Sequence, residues 1–179
     1  MSKVYFSETQ NFDLLWMKVV MITASAGAVI PLLIASYQQM VLDQPWGQQA
    51  PSDFTLLYIT LAMLLIVIGI NVMIFSSKLE TKITDDSIQY RYRPFVFNWR
   101  TVLAEELESA HLRQYNAWLE YGGRGFKFRF IGRKGRALTI RGDQGLQLLF
   151  KNGKKLLLGT QRPQEVNIAL QKYLKPRIE

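Results

Sequence analysis

The side chains best suited to chemistry in this chain are basic and lie in one glycine-rich stretch, residues 121–142, YGGRGFKFRFIGRKGRALTIRG. Between residues 121 and 155 there are ten lysines and arginines and a single acid, Asp143. Such a concentration of charge is typical of contact with phosphates, nucleic acid or anionic lipid. The glycines lack the spacing of a dinucleotide-binding motif or a P-loop, and they more simply let the backbone turn before a strand.

Seven of these cations form the predicted contact face of a β-hairpin, with two of them at its tip. They are Arg124, Lys127, Arg129, Arg133, Lys134, Arg136 and Arg141. Phe126, Phe128 and Phe130 alternate with the cations and therefore point the other way, as core residues rather than as a platform on which bases would stack. We expect no nucleic acid partner. Three interpretations of the face remain open: solvation by water, contact with lipid headgroups, and contact with a protein partner or a second copy.

Residues that could support catalysis are few. Glu105, Glu106 and Glu108 form a solvated acidic turn, whereas catalytic carboxylates need burial or close partners to shift their pKa. The chain has one histidine, His111, and no cysteine, which excludes disulfides, thiolate metal sites and histidine-cluster metal sites built by this chain alone. We predict a protein that is not an enzyme and has no cofactor, no metal site and no small-molecule substrate.

Two uncharged apolar runs, residues 19–36 and 54–75, indicate how the basic stretch is positioned. At about 1.5 Å per residue the second run covers roughly 30 Å, the thickness of a bilayer core. We predict transmembrane helices over about 14–37 and 54–77, an external loop over 38–53, a polar leader over 1–13 and a cytoplasmic domain over 78–179. A cleaved secretory signal is the competing interpretation of the first run, and Glu8, Asp13 and Lys18 argue against it.

Charge next to the apolar runs predicts their orientation. The loop 38–53 carries two acids and no lysine or arginine, whereas Lys3, Lys18, Lys78 and Lys82 flank the runs on the other side. The positive-inside rule then places both termini in the cytoplasm and makes the chain a multi-pass protein of the inner (plasma) membrane.

Small residues in the two runs suggest how the helices pack. Ala24, Gly27 and Ala28 have the spacing that lets helices approach closely, and Gly69 is a counterpart in the second helix. Asn71 is positioned to hydrogen-bond across an interface. These residues serve either packing within the hairpin or a homo-oligomer.

Short alternating segments after residue 78 predict a β-rich domain of about seven strands. The clearest hairpin is GLQLLF–KNG–KKLLLG, for which Asn152-Gly153 suits a type I′ turn. Residues 101–115 fit either a short helix or a turn leading into a strand. A stripe of Val166, Ala169, Leu170, Tyr173 and Leu174 predicts a closing helix. The predicted fold class is a helical transmembrane hairpin joined to an α+β domain, a strongly bent seven-stranded antiparallel barrel or sandwich capped by a C-terminal helix.

Four segments resemble bacterial pleckstrin-homology-like (PH-like) proteins. They are LETKITDDSIQYRYRPF (79–95), YNAWLEYGGRG (115–125), GDQGLQLLFKNGKKLLLGTQRP (142–163) and the helix that follows. In particular, the chain resembles an uncharacterised prokaryotic family of small membrane proteins with two transmembrane helices followed by a cytoplasmic PH-like domain. The GTQRP block is the most specific part. The resemblance implies a fold and a topology, and it brings no known activity. Arg124 is a departure, because an aromatic residue commonly follows YGG in that family.

Together these observations predict a non-catalytic, membrane-anchored scaffold whose basic face contacts anionic lipid headgroups or a protein partner. The alternative is an accessory or self-associating subunit that assembles through its transmembrane helices.

Overall fold

The structure, a computed structural model, describes residues 3–47, 49–127 and 135–174. It divides into two compact units. One runs from Asp13 to Phe75. The other combines the stretch before Asp13 with the stretch after Phe75.

The first unit consists of two long helices, α1 (Leu15–Val41) and α2 (Asp53–Phe75). Both are long and apolar enough to cross a membrane, with mean hydropathies of 2.1 and 2.5 in their most apolar windows. Asp53 is in the first turn of α2, where a negative charge stabilises the helix by interacting with the positive end of its dipole. The helices lie within a few residues of the predicted spans.

The second unit begins with a four-stranded antiparallel sheet in which consecutive strands are neighbours. Its strands are β1 (Val4–Asn11), β2 (Lys78–Thr84), β3 (Ser87–Arg93) and β4 (Val96–Leu103). Asn11 pairs with Lys78, so the ends of β1 and β2 that connect to the helices lie side by side. The helical hairpin is therefore inserted between two paired strands.

Strand β1 differs from the polar leader that the sequence suggests. Its inward side chains are Phe6, Glu8 and Gln10, all buried. Two of the three are polar, and the alternation of apolar and polar residues that normally marks a half-buried strand is absent. This is the physical reason why the segment does not look like a strand in the sequence.

A second sheet has the order β5-β8-β9-β7-β6. Its strands are β5 (Leu107–Gln114), β6 (Gly125–Lys127), β7 (Arg136–Thr139), β8 (Gln144–Phe150) and β9 (Lys155–Thr160). Strands β6 and β7 are antiparallel, as a hairpin requires, whereas β7 and β9 are parallel. A single 3₁₀ turn, Ala104–Glu106, connects the two sheets, so residues 101–115 are a turn leading into a strand.

The hairpin of β8 and β9 is confirmed, but its turn differs from the predicted two-residue type. The N–H of Gly153 donates to the carbonyl of Phe150 at 2.8 Å, and that of Phe150 donates to Lys154 at 2.9 Å. Gly153 has a φ of 75°, while Asn152 does not have a positive φ. The connection is therefore a three-residue loop in which glycine supplies the left-handed position.

Two helices complete the second unit: the short α3 (Ala117–Tyr121) and α4 (Pro163–Leu174). Helix α4 buries Val166, Ala169, Leu170 and Tyr173, four residues of the stripe expected from its sequence. These side chains join one core cluster with residues of both sheets. The layout is α+β. The described residues contain nine strands in two sheets rather than the predicted seven, because β1 and β5 add to the count, and they form no closed barrel.

Candidate functional site

The predicted basic face lies on β6, β7 and the residues that flank them. Four of its members are described: Arg124 and Arg136 are exposed, and Lys127 and Arg141 are half-buried. The other three, Arg129, Arg133 and Lys134, lie outside the described residues, as do Phe128 and Phe130.

Arg124 immediately precedes β6, and Lys127 is the last residue of that strand. The ammonium group of Lys127 donates to the carbonyl of Gly122 at 3.3 Å and lies 3.6 Å from the position of a Cβ built on Gly123. The positive charge of Arg124 acts on the Tyr115 hydroxyl, although burial is the larger effect and raises the pKa of Tyr115 to about 12. These two cations flank the short strand β6 and are three residues apart in the sequence.

Arg136 lies at the same end of the hairpin strands as Lys127, because Lys127 pairs with Ala137. Burial raises the pKa of Tyr90, and the charges of Arg136 and Arg100 oppose that rise, which places both arginines near the Tyr90 ring. Five residues separate Arg136 from Arg141, which is roughly 16 Å at about 3.3 Å per strand residue. Arg136 and Arg141 therefore lie at opposite ends of the hairpin strands, and Lys127 is at the same end as Arg136.

Helix α3 is held in place by polar contacts with β5. The side-chain oxygen of Asn116 accepts hydrogen bonds from the N–H groups of Trp118 and Leu119, which caps the helix. Glu120 forms an ion pair with Arg113 at 2.9 Å and accepts a hydrogen bond from the N–H of Asn116 at 3.0 Å. The motif YNAWLEYGG therefore encodes a helix with its own cap and anchor.

The apolar anchor of α3 is a second, smaller core cluster. Tyr115, Ala117 and Tyr121 pack there with Ala137 and Leu157. After Tyr121 the chain turns at Gly122, whose φ of 66° is left-handed. The N–H groups of Gly122 and Gly123 close the helix by donating to Trp118 and Ala117. The positive φ expected for these glycines is confirmed.

The remaining face of α3 is apolar and faces solvent. Trp118 is 74% exposed and Leu119 is 84% exposed. Sequence reasoning missed both residues. Because Ala117 and Tyr121 are four apart and share the buried face, the intervening positions 118 and 119 must point away from the core. That spacing was the available signal.

An aromatic cluster links β6 to the residues that follow α2. The Phe95 and Phe126 rings stack with centres 5.0 Å apart, and Tyr92 lies 5.6 Å from Phe126. Burial raises the pKa of Tyr92 to about 12, and a hydrogen bond with Ser77 partly opposes this rise. The same hydroxyl is 3.9 Å from the position of a Cβ on Gly125. The start of β6 is thus close to Ser77, two residues beyond the end of α2.

A second cationic feature lies on the first sheet and was also missed. Lys82 and Arg91 lie over the ring of Trp99, at 4.6 and 4.5 Å from its centre. Arg91 also forms an ion pair with Glu80, which Arg93 contacts at 3.2 Å. Cation–π contacts of this kind fix long side chains on a surface.

Strand β1 is held by the GTQRP block, the segment that carries most of the resemblance. The amide of Gln10 donates to the carbonyl of Gly159 at 2.7 Å. Glu8 accepts hydrogen bonds from the hydroxyl of Thr160 at 2.7 Å and from the N–H of Gln161 at 2.9 Å. Arg162 donates to the carbonyl of Ser7 at 3.2 Å. The block therefore has a structural role, because it satisfies the buried polar groups of β1.

Among the described residues of the helical unit, polar side chains connect α1 and α2 at several points. Asn71 donates to Ser25 at 2.9 Å, as its position predicted, and Ser36 and Thr60 share a hydrogen bond of 3.0 Å. Gln39 donates to Asp53 at 2.7 Å.

The small residues that were predicted to pack α1 against α2 do not lie at the contact between them. Nothing comes within 4 Å of a Cβ built on Gly27 or Gly69, Ala24 is exposed and Ala28 is half-buried. The two glycines do not mediate contact between α1 and α2.

The candidate catalytic residues are dispersed on the surface. Glu105, Glu106, Glu108 and His111 are exposed, and the carboxylate of Glu106 accepts a hydrogen bond from the N–H of Leu103. No group of three metal-ligating side chains is found among the described residues. An open cleft of about 350 Å³ lies between the turn Arg141–Gln144 and the loop Thr160–Pro163. No family model matches the chain, and a search of curated proteins found no relative.

Proposed function

We propose that this chain is a non-catalytic, membrane-anchored scaffold whose PH-like domain contacts anionic lipid headgroups through Arg124 and Lys127. The observation that carries the proposal is the pairing of β1 with β2 on either side of two apolar helices. A β domain is thereby fixed to both ends of the hairpin, so its cations remain next to any membrane that the helices span.

The exposure of the helices supports their transmembrane role. Only 6% of the residues in the most apolar window of each helix are buried, whereas the core helix of a soluble protein buries its apolar face. Cleavage after α1 as a signal sequence would also remove β1 from its sheet, together with the partners of Thr160 and Gly159.

The same pairing bears on topology. Because β1 and β2 belong to one sheet, the segments before α1 and after α2 lie on one side of the membrane. With the positive-inside rule, that side is the cytoplasm and the membrane is the inner (plasma) membrane of a bacterium. The PH-like assignment rests on the order of the elements: a four-stranded antiparallel sheet, a second sheet and a closing helix that packs into the core between them.

Binding of the domain to vesicles tests the basic face. Residues 3–12 are joined to 76–174 by Asn-Gly, and folding is verified by circular dichroism before co-sedimentation with vesicles. We expect binding to anionic but not to zwitterionic vesicles. At about 1 kcal/mol per basic residue that reaches the surface, the double substitution Arg124→Gln and Lys127→Gln should weaken binding about 30-fold.

The matched control is the pair Lys151→Gln and Lys154→Gln. Both residues are exposed in the turn between β8 and β9, and their substitution removes the same charge. Equal losses in the two variants would show that only the net charge matters. Binding that survives in the Arg124/Lys127 variant would contradict the proposal.

A second candidate function, assembly through the helices, is favoured by the open space around Gly27 and Gly69. Small residues that the hairpin leaves unused are available for close contact with another helix. Mass measurement in detergent would detect a defined oligomer, and Gly27→Ile with Gly69→Ile should dissociate it. A strictly monomeric particle would exclude this function.

A further inference from the structure

Trp118 and Leu119 form an exposed apolar patch, whose position is fixed by the packing and polar contacts of α3. Ala117 and Tyr121 are buried on the opposite face of the helix, and Asn116 and Glu120 fix its ends. A helix anchored on both its apolar and its polar sides cannot rotate to cover the two exposed residues. The surface they form is therefore a fixed feature of the domain.

Contacts inside the domain limit the distance of these two residues from Ser77, which follows α2 in the sequence. Ser77 hydrogen-bonds to Tyr92, whose hydroxyl lies 3.9 Å from the Cβ position of Gly125. Two residues earlier, the Cβ position of Gly123 is 3.4 Å from the ring of Trp118. Because consecutive Cα atoms are 3.8 Å apart, these contacts limit the distance from Ser77 to the Trp118 ring to about 20 Å.

The positive charges next to Trp118 and Leu119 complement the headgroup region of an anionic bilayer. The Lys127 ammonium and the Trp118 ring both lie within 4 Å of the Cβ position of Gly123, and Arg124 follows that glycine directly. Tryptophan is enriched where membrane meets water, since its ring is apolar and its N–H finds a hydrogen-bond acceptor there. Apolar tips flanked by cations are the general arrangement of segments that lie in the membrane interface.

We propose that Trp118 and Leu119 insert into the lipid interface and fix the domain against the bilayer. The inference rests on the proposed function, because it needs the helices to span a membrane. It deepens that function by naming the residues that enter the lipid. The cations attract the headgroups, and the apolar pair fixes the depth of the domain.

The test uses the full chain, which has no cysteine to remove. A nitroxide is attached to Leu119→Cys in protein reconstituted into vesicles of mixed zwitterionic and anionic lipid. Its collisions with oxygen, which concentrates in lipid, and with a water-soluble nickel chelate are measured by electron paramagnetic resonance. The control site is Ile168→Cys, at an apolar residue of α4 that is 55% exposed.

We expect the probe at 119 to collide several-fold more with oxygen and several-fold less with nickel than the probe at 168. Adding Trp118→Ser should return the probe at 119 towards the values of the control. Equal nickel collisions at both sites would overturn the proposal. Protection of the probe at 119 from both reagents would also overturn it, by identifying a protein surface as the occupant.

The two proposals fail in different ways. If the basic face fails, vesicle binding is insensitive to Arg124→Gln and Lys127→Gln while the probe at 119 still reports lipid. If the insertion fails, the probe reports water while vesicle binding still depends on the two cations. High salt also distinguishes the two proposals, because it screens the attraction of the cations to the headgroups and does not weaken insertion of the apolar side chains.

Discussion

At the scale of single residues, several charged side chains on the first sheet are held in place by ion pairs. Glu80 has a side chain that is 15% exposed and lies between Arg91 and Arg93. The hydrogen bond from Arg91 lowers the pKa of Glu80, and burial opposes this only in part. The same arginine covers Trp99, so one carboxylate helps to order the outer face of the first sheet.

This pairing predicts a dependence of stability on pH. Because the pKa of Glu80 is lowered on folding, its stabilisation is complete above the ordinary carboxyl range and disappears as the pH falls through the lowered value. Glu80→Gln should reduce the free energy of unfolding by about 1 kcal/mol at pH 7 and by less at pH 3. Chemical unfolding followed by fluorescence between these pH values measures the effect. Asp86→Asn, at an exposed carboxylate, is the control, and a constant difference across the range would contradict the prediction.

The sequence identified the charged residues of the candidate site but not how they are arranged in space. Arg124 and Lys127 could be identified from the composition of residues 121–142, but the register of β6 with β7, which places Lys127 beside Arg136, could not. Trp118 and Leu119 were overlooked because an apolar pair in a short segment normally indicates core. Only the burial of Ala117 and Tyr121 shows which face of α3 remains outside.

At the scale of elements, β1 shows where sequence patterns stop being informative. Helices α1 and α2 could be predicted to within a few residues, because a long uncharged run has one structural solution in lipid. Strand β1 could not, since its inward Glu8 and Gln10 are stable only through partners about 150 residues further along the chain. Buried polar groups whose partners are remote leave no local signal.

Removal of the Glu8 carboxylate should therefore destabilise the domain. Glu8→Ala leaves the Thr160 hydroxyl and the Gln161 N–H without their acceptor, and we expect a loss of about 2 kcal/mol in the free energy of unfolding. Thr9→Ala, at the neighbouring outward position, should change it by less than about 0.5 kcal/mol. Thermal and chemical unfolding of the full chain in detergent provide the comparison. Similar losses at both positions would show that β1 is held by backbone pairing alone.

At the scale of the whole molecule, the pairing of β1 with β2 constrains the number of membrane crossings. Two strands of one sheet must share a compartment, so the segment that connects them crosses the membrane an even number of times. Two helices satisfy this condition, and the conclusion is independent of the distribution of lysine and arginine.

Cysteine labelling in membranes tests the constraint. Thr9→Cys in β1 and Asp86→Cys in the turn after β2 should react with an impermeant maleimide from the same side, and Gln44→Cys, between the helices, only from the opposite side. The absence of native cysteine removes background labelling. Reaction of Thr9→Cys and Asp86→Cys from different sides would show that the sheet does not form in the membrane-inserted protein.

The contacts of β1 with the GTQRP block can form only late in synthesis of the chain. Glu8 and Gln10 leave the ribosome early, but their partners Gly159 and Thr160 are translated about 150 residues later. Both apolar helices emerge in the interval, so in the proposed topology membrane insertion precedes completion of the domain. A nascent chain that stops before Gly159 leaves Glu8 and Gln10 without these partners, so a truncated chain differs from a complete domain by a strand with unsatisfied polar groups.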